Sequence, residues 1–161
     1  MRLYGKEDLK TLEYLLNLSV VLEGLGRSEQ AEKSYMKILD LTQTLREDHA
    51  PRLVAMTSIG IIYILSGRTD KGVELHRKCF EISKRSLAEN HLETLTFMVS
   101  LGNSLGLAGK LGEAEELQLK VLETFRQLGL NQHPSALSAG INLADVYFEQ
   151  GRTTDGITIL E

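Results

Sequence analysis

A glycine followed by a basic residue recurs at Gly26-Arg27, Gly67-Arg68, Gly109-Lys110 and Gly151-Arg152, the glycines lying 41, 42 and 42 residues apart. Histidine keeps the same interval at His49, His91 and His133. Two independent markers sharing one period restrict the chain to a fold made by stacking a single structural unit.

The unit can be read outward from the glycine. Seven residues before it stands a small residue, Ser19, Gly60, Gly102 or Ala144, and five after it another, Ala31, Gly72, Ala114 or Gly156. Large apolar residues recur eleven, eight and four before it: Leu15, Leu18 and Leu22; Met56, Ile59 and Tyr63; Met98, Leu101 and Leu105. These offsets share one face of a helix. Each unit reads as helix, tight glycine turn, helix, connector. Two helices approach closely only where side chains are short, so the small residues mark the crossing. Gly140 stands where the other units carry Leu15, Met56 and Met98, which predicts a looser fourth unit. Ser28, Thr69 and Thr153 fall where N-caps are expected, whereas Leu111 does not suit that role.

The expected fold class is therefore all-α, a solenoid of antiparallel helix pairs. Eight helices are expected, over 9–25, 28–46, 51–66, 69–86, 91–108, 111–128, 134–150 and 153–161. They form one repeat domain with units at about 9–49, 50–91, 92–133 and 134–161, the last of them truncated. The first residues look like the tail of a preceding unit, so a fragment of a longer array is expected, with association through exposed solenoid ends.

Composition narrows the function. Net charge is −4 and the basic residues form no stripe, which argues against nucleic acid. No apolar run approaches a membrane span, and the first residues, MRLYGKEDLK, hold no apolar core like that of a signal peptide. The single Cys79 precludes an internal disulfide and suits a reducing, cytoplasmic setting.

Candidate chemistry is sparse. The stretch Gly106–Lys110 resembles a phosphate loop only superficially: Ser104 replaces the first glycine of that motif, and Leu111 follows Lys110 where Ser or Thr is required. His49, His91 and His133 sit at equivalent places in successive layers about 8–10 Å apart. Zinc–nitrogen bonds are only ~2.0–2.1 Å long, so one ion cannot reach all three, and they read as connector residues. His76 is expected to be partly buried in a second helix. Cys79 aligns with Ile38 and Val121 and reads as core. Glu113, Glu115 and Glu116 read as a solvated helix start. No enzyme activity, metal or cofactor is expected.

These residues resemble the tetratricopeptide repeat, and the long period with its Gln132-His133-Pro134 connector resembles the kinesin light chain variety. "GKEDLKTLEYLLNL", "AENHLETLTFMVSL" and "LNQHPSALSAGINL" are similar to that variety's "GKEHPxTLxxxxNL" junction, although His49 and His91 lack its His-Pro pair. The resemblance implies a right-handed superhelix that binds a protein or peptide on a concave face lined by the first helix of each pair. It also leaves open a sensor or assembly segment of a larger signalling NTPase, contacting its own catalytic module.

Helical spacing, together with the resemblance, assigns the concave face to positions thirteen, ten, nine and six before each glycine. In the first unit these are Glu13, Leu16, Asn17 and Val20; in the second, Val54, Thr57, Ser58 and Ile61. The third contributes Thr96, Val99, Ser100 and Asn103, and the fourth Ser138, Ile141, Asn142 and Asp145. None is Lys or Arg, so an acidic tail finds no countercharge there. Val20, Val54, Ile61 and Val99 suggest apolar anchors, and Asn17, Asn103 and Asn142 suggest hydrogen bonds to a peptide backbone. In kinesin light chains, groove asparagines similarly hold an extended ligand; Asn17 and Asn142 match that motif, while Ser58 and Ser100 replace it.

Overall fold

The computed structural model describes residues 6–161, with side chains from residue 9 onward. Gly5, the first residue of the junction motif quoted above, lies outside them. Among the described residues, all regular structure is helical: α1 (Lys6–Gly24), α2 (Ser28–Leu41), α3 (Ala50–Leu65), α4 (Thr69–Leu87), α5 (Leu92–Leu107), α6 (Leu111–Gln127), α7 (Pro134–Glu149) and α8 (Thr153–Leu160).

Each helix packs on the next in sequence. The odd helices also approach one another backbone to backbone, α1 on α3, α3 on α5 and α5 on α7, whereas the even helices lie farther apart and meet through long side chains, as Arg77 of α4 does with Glu113 of α6. Each layer is therefore a wedge, narrow on its odd side. Stacked wedges curve, and the odd helices line the inside of the curve.

The four glycine turns share one geometry. Gly26, Gly67, Gly109 and Gly151 adopt φ of 70°, 78°, 73° and 76°, a left-handed conformation that side chains disfavour. The amide after each glycine donates to a carbonyl five residues back, as in Arg27 to Leu22 at 2.9 Å and Arg68 to Tyr63 at 2.7 Å. The glycine amide donates three residues back, as in Gly67 to Ile64 at 3.0 Å. This pair of bonds closes the orphan carbonyls of a helix end.

The basic residue after the glycine is itself the N-cap of the following helix. Arg27, Arg68, Lys110 and Arg152 cap α2, α4, α6 and α8 through backbone carbonyls, with no side-chain cap bond. The expectation of Ser28, Thr69 and Thr153 as caps is corrected: they are first helical residues, and Leu111 occupies the same place without penalty. The side chains of the caps point elsewhere. Arg68 lies over the Tyr63 ring and pairs with Glu32, and Arg152 lies over Tyr147 and pairs with Glu115. Both pairs join one unit to the next. The joint between them has Val73 where Glu32 and Glu115 would stand, and Lys110 reaches only Asp70, at 4.0 Å.

Side-chain caps occur instead at the connectors. Nδ1 of His91 accepts from the Glu93 amide at 3.3 Å, and Nδ1 of His133 accepts from the Ser135 amide at 3.2 Å. The connector histidines thus start α5 and α7. His49 holds the corresponding place before α3 without such a bond. Helix α2 stops at Leu41, short of the expected 46; the buried Thr42 follows it, and its carbonyl accepts from the Leu45 amide at 3.0 Å and from the Arg52 guanidinium at 3.1 Å.

Inside each pair the backbones nearly touch. A Cβ on Gly72 would lie 2.7 Å from the Gly60 carbonyl oxygen. One on Gly60 would lie 2.5 Å from Nε2 of His76, and one on Gly102 would lie 2.4 Å from Nε2 of Gln118. His76 and Gln118 occupy one register, nine residues after the turn glycine, and Tyr35 occupies it in the first unit. All three are buried. Nε2 of His76 donates to the Thr57 carbonyl at 3.0 Å, and its Nδ1 meets the Ser104 hydroxyl in the next unit, which also reaches the Ser100 carbonyl at 2.8 Å. Gln118 donates to the Val99 carbonyl at 3.2 Å, and the Tyr35 hydroxyl donates to Glu23 at 2.8 Å. Burial, foremost, pushes the Tyr35 hydroxyl up to about 12. Cys79 is fully buried, in keeping with its alignment with Ile38 and Val121, and burial lifts its thiol to about 11.

Gly140 meets no atom within 4 Å of an added Cβ, while Leu15, Met56 and Met98 at its register are buried. The same substitution should therefore act with opposite sign at two glycines. Gly140→Ala should stabilise by about 0.5–1 kcal/mol through helix propensity. Gly60→Ala, which pushes on a pinned imidazole, should cost about 1–3 kcal/mol. Denaturant midpoints check both; a Gly60→Ala protein as stable as the parent would refute the close-packing account.

Burial holds the His76 imidazole below its ordinary 6.5. The folded chain thus favours the neutral ring, and its contribution is complete above the unfolded value and declines as pH falls below it. His76→Gln, the residue of position 118, should keep the fold and flatten the loss of melting temperature between about pH 7 and 5. Identical slopes in both proteins would show that His76 is not the titrating group.

Candidate protein-binding face

The inner face is built from the exposed sides of α1, α3, α5 and α7. Six residues before each turn glycine stand Val20, Ile61, Asn103 and Asp145, all exposed. Nine before it stand Asn17, exposed, and Ser58, Ser100 and Asn142, each half-buried. Thirteen before it stand Glu13, Val54, Thr96 and Ser138, all exposed. These three rows lie along one side of the odd helices. Thr96 and Ser135 hydroxyls meet at 3.0 Å across α5 and α7, which fixes the lateral spacing of the rows there.

The row ten before the glycine does not join them. Val99 is only 7 % exposed and belongs to the core with Val121 and Val146, so its placement on the groove is corrected. The reason is register. At this position the side chain turns toward the second helix of its own pair: Thr57 Oγ1 donates to the Leu53 carbonyl at 2.9 Å and approaches Cys79 Sγ at 3.6 Å. Val121 occupies the place of Cys79 in the next unit, and Val99 packs there. Ile141 is 55 % exposed at this register, α8 ending at Leu160 before the corresponding position.

Where α5 faces α7, the inner surface deepens into a cavity of about 470 Å³. Gly102, Asn103, Gly106 and Leu107 of α5 line it, with Asn142, Asp145, Val146, Phe148 and Glu149 of α7 and with Gly109 and Leu111 at the turn. Three residues of the expected face, Asn103, Asn142 and Asp145, therefore converge on one recess. The opening has a local cause three residues before the turn glycine. There the second unit carries Ile64, resting on Gly72, and the fourth carries Phe148, resting on Gly156. The third unit carries Gly106, whose added Cβ would still lie 3.4 Å from Val146 and 3.9 Å from Ala114. Gly106 adds no side chain of its own, so the recess there is bounded by Val146 and Ala114. Gly106, Phe148 and Glu149 lay outside the expected set, although comparison of that one register across units carries the signal.

Charge separates the two sides of the stack. Outer helices exchange ion pairs between units: Glu32 with Arg68, Arg77 with Glu113, Arg85 with Glu47, Lys120 with Glu89 and Glu115 with Arg152. Arg68 holds Glu32 below the usual carboxylate range, and Arg152 does the same for Glu115. The recess is lined by Asp145 and Glu149 and by no cation. Among the described residues neither carboxylate has an ion-pair partner. A larger, shallower hollow of about 800 Å³ lies against α2. Lys33, Lys37 and Arg68 there balance Glu29, Glu32 and Asp40, as on a solvated outer surface.

Among the described residues no helix is long and apolar enough to cross a membrane. None of their His, Cys, Asp and Glu side chains group in threes that could hold a metal ion.

A curved stack of helix pairs with a continuous inner face defines a helical-repeat scaffold. A tetratricopeptide repeat profile matches residues 51–127 and 93–161, and a second tetratricopeptide repeat profile matches residues 12–44. The chain belongs to the tetratricopeptide repeat family, whose repeats serve as protein-interaction scaffolds. Solved structures agree on the fold. The Podosopora anserina kinesin light chain nearly identical TPR-like repeats superpose with a TM-score of 0.76 at 23% identity, covering 92% of this chain and 71% of that one. A point variant of the same protein gives 0.79 at 23% identity with the same coverage. BtubC (BKLC) from P. vanneervenii gives 0.74 at 23% identity, with 92% of this chain matched to 60% of that one. The chain thus spans less than two thirds of BtubC. No curated protein sequence matches it. The repeat class follows from the profile matches, and the solved structures share its solenoid fold.

Proposed function

We propose that this chain is a single, cytoplasmic repeat domain that holds an extended or helical segment of a partner protein along its inner face. The observation that carries the reading is the three-row surface of α1, α3, α5 and α7, with exposed apolar anchors on α1 and α3 and amides on α1, α5 and α7. Val20, Val54 and Ile61 remain 58 %, 45 % and 45 % exposed on a folded surface. Apolar area held open to water in a row is a cost that a bound chain removes. Asn17, Asn103 and Asn142 offer both donors and acceptors to the peptide groups such a chain presents. Repeat arrays bind by spreading such contacts over several units. The absence of Lys and Arg from the three rows argues against an acidic tail as the ligand.

The test is affinity capture of a partner, followed by titration of that partner against the double variant Asn142→Ala, Ile61→Asp. Affinity should fall at least about tenfold, because an apolar anchor becomes a charge and an amide is lost. Far-ultraviolet circular dichroism should be unchanged, as both sites face solvent. Unaltered affinity in a folded double variant would move the binding surface to the outer helices or the connectors.

A further inference from the structure

Resting on that reading, we propose that the recess between α5 and α7 receives a lysine or arginine side chain of the bound segment. Room comes from Gly106, which leaves open the space that Ile64 and Phe148 occupy at the same register of the neighbouring units. Asp145 and Glu149 stand four residues apart on α7, one turn above the other, and both line the recess. Like charges at that spacing disfavour each other until a cation lies between them. Asn142 on α7 and Asn103 across the recess on α5 add neutral acceptors. Behind Gly102, the buried Gln118 leaves its Oε1 without a donor. Phe148, braced against Gly156 and 41 % exposed, offers a ring face of the kind cations occupy elsewhere in this molecule, as Arg68 does over Tyr63.

The other occupants fit worse. An acidic side chain would meet two carboxylates and no countercharge. An apolar one would fill the volume but cover both carboxylates without pairing them, which is unfavourable. A basic side chain pairs with the carboxylates at the mouth, lays its methylenes along Leu107 and Val146, and finds acceptors around its head.

The probe is a phage-displayed library of random dodecapeptides selected on the full chain, the enriched peptides then titrated by fluorescence anisotropy. The expected result is enrichment of Arg or Lys at one peptide position. Replacing that residue by citrulline or norleucine should weaken binding at least about tenfold, and raising salt should weaken it too. The near-isosteric pair Asp145→Asn, Glu149→Gln should abolish the preference for the basic residue. Gly106→Ile, which restores the bulk of the second unit, should do so by filling the recess; should it fail to fold, the carboxylate pair carries the test alone. Peptides that lose binding with Ile61→Asp but are indifferent to the carboxylate variants would overturn this inference and leave the groove reading standing. Peptides indifferent to Ile61→Asp, or no selected peptide at all, would overturn both.

Discussion

Everything in this molecule hangs on how closely two helices of a pair can approach. At the second unit the gap closes until a methyl group on Gly72 would collide with the carbonyl of Gly60. Such proximity brings the register of His76, Gln118 and Tyr35 across the crossing, where each buried polar group finds a partner on the first helix. Neighbouring odd helices approach one another more closely than neighbouring even ones do, and the curvature follows from that asymmetry. The concave face is thus a consequence of two small residues per unit, not of any residue that lines it.

That dependence explains what a reader of the sequence can recover. The turn glycines, the small residues at the crossing and the burial of Cys79 are each dictated by local geometry repeated four times, and repetition makes them visible. The caps of the even helices were misread because Ser28 and Thr69 have the right chemistry, while the backbone of the preceding basic residue does the work. Val99 was misplaced because ten residues and nine residues before the glycine differ by a single helical step of about 100°. A boundary between groove and core that falls inside one such step is settled by packing against the second helix. Asn103, Asn142 and Asp145 were legible as surface, but their convergence was not. It requires knowing that α5 and α7 stand side by side and that Gly106 leaves a gap between them.

The two faces also divide the electrostatic work. Outer charges pair across units and act as weak, salt-sensitive latches between layers. The joint between the second and third units, where Val73 replaces the acid beside the turn, keeps the Arg77–Glu113 and Lys120–Glu89 pairs and adds the buried His76 to Ser104 contact. Asp145 and Glu149, where α5 meets α7, have no such partner among the described residues.

An ideal array has a weakness as a recognition surface, since a ligand can shift by one unit and meet almost the same contacts. The row holding Ile64, Gly106 and Phe148 breaks that translational degeneracy. Glu23, Ile64 and Phe148 stand at that register in the other units, so the notch at Gly106 occurs once and would give a ligand that enters it a single frame.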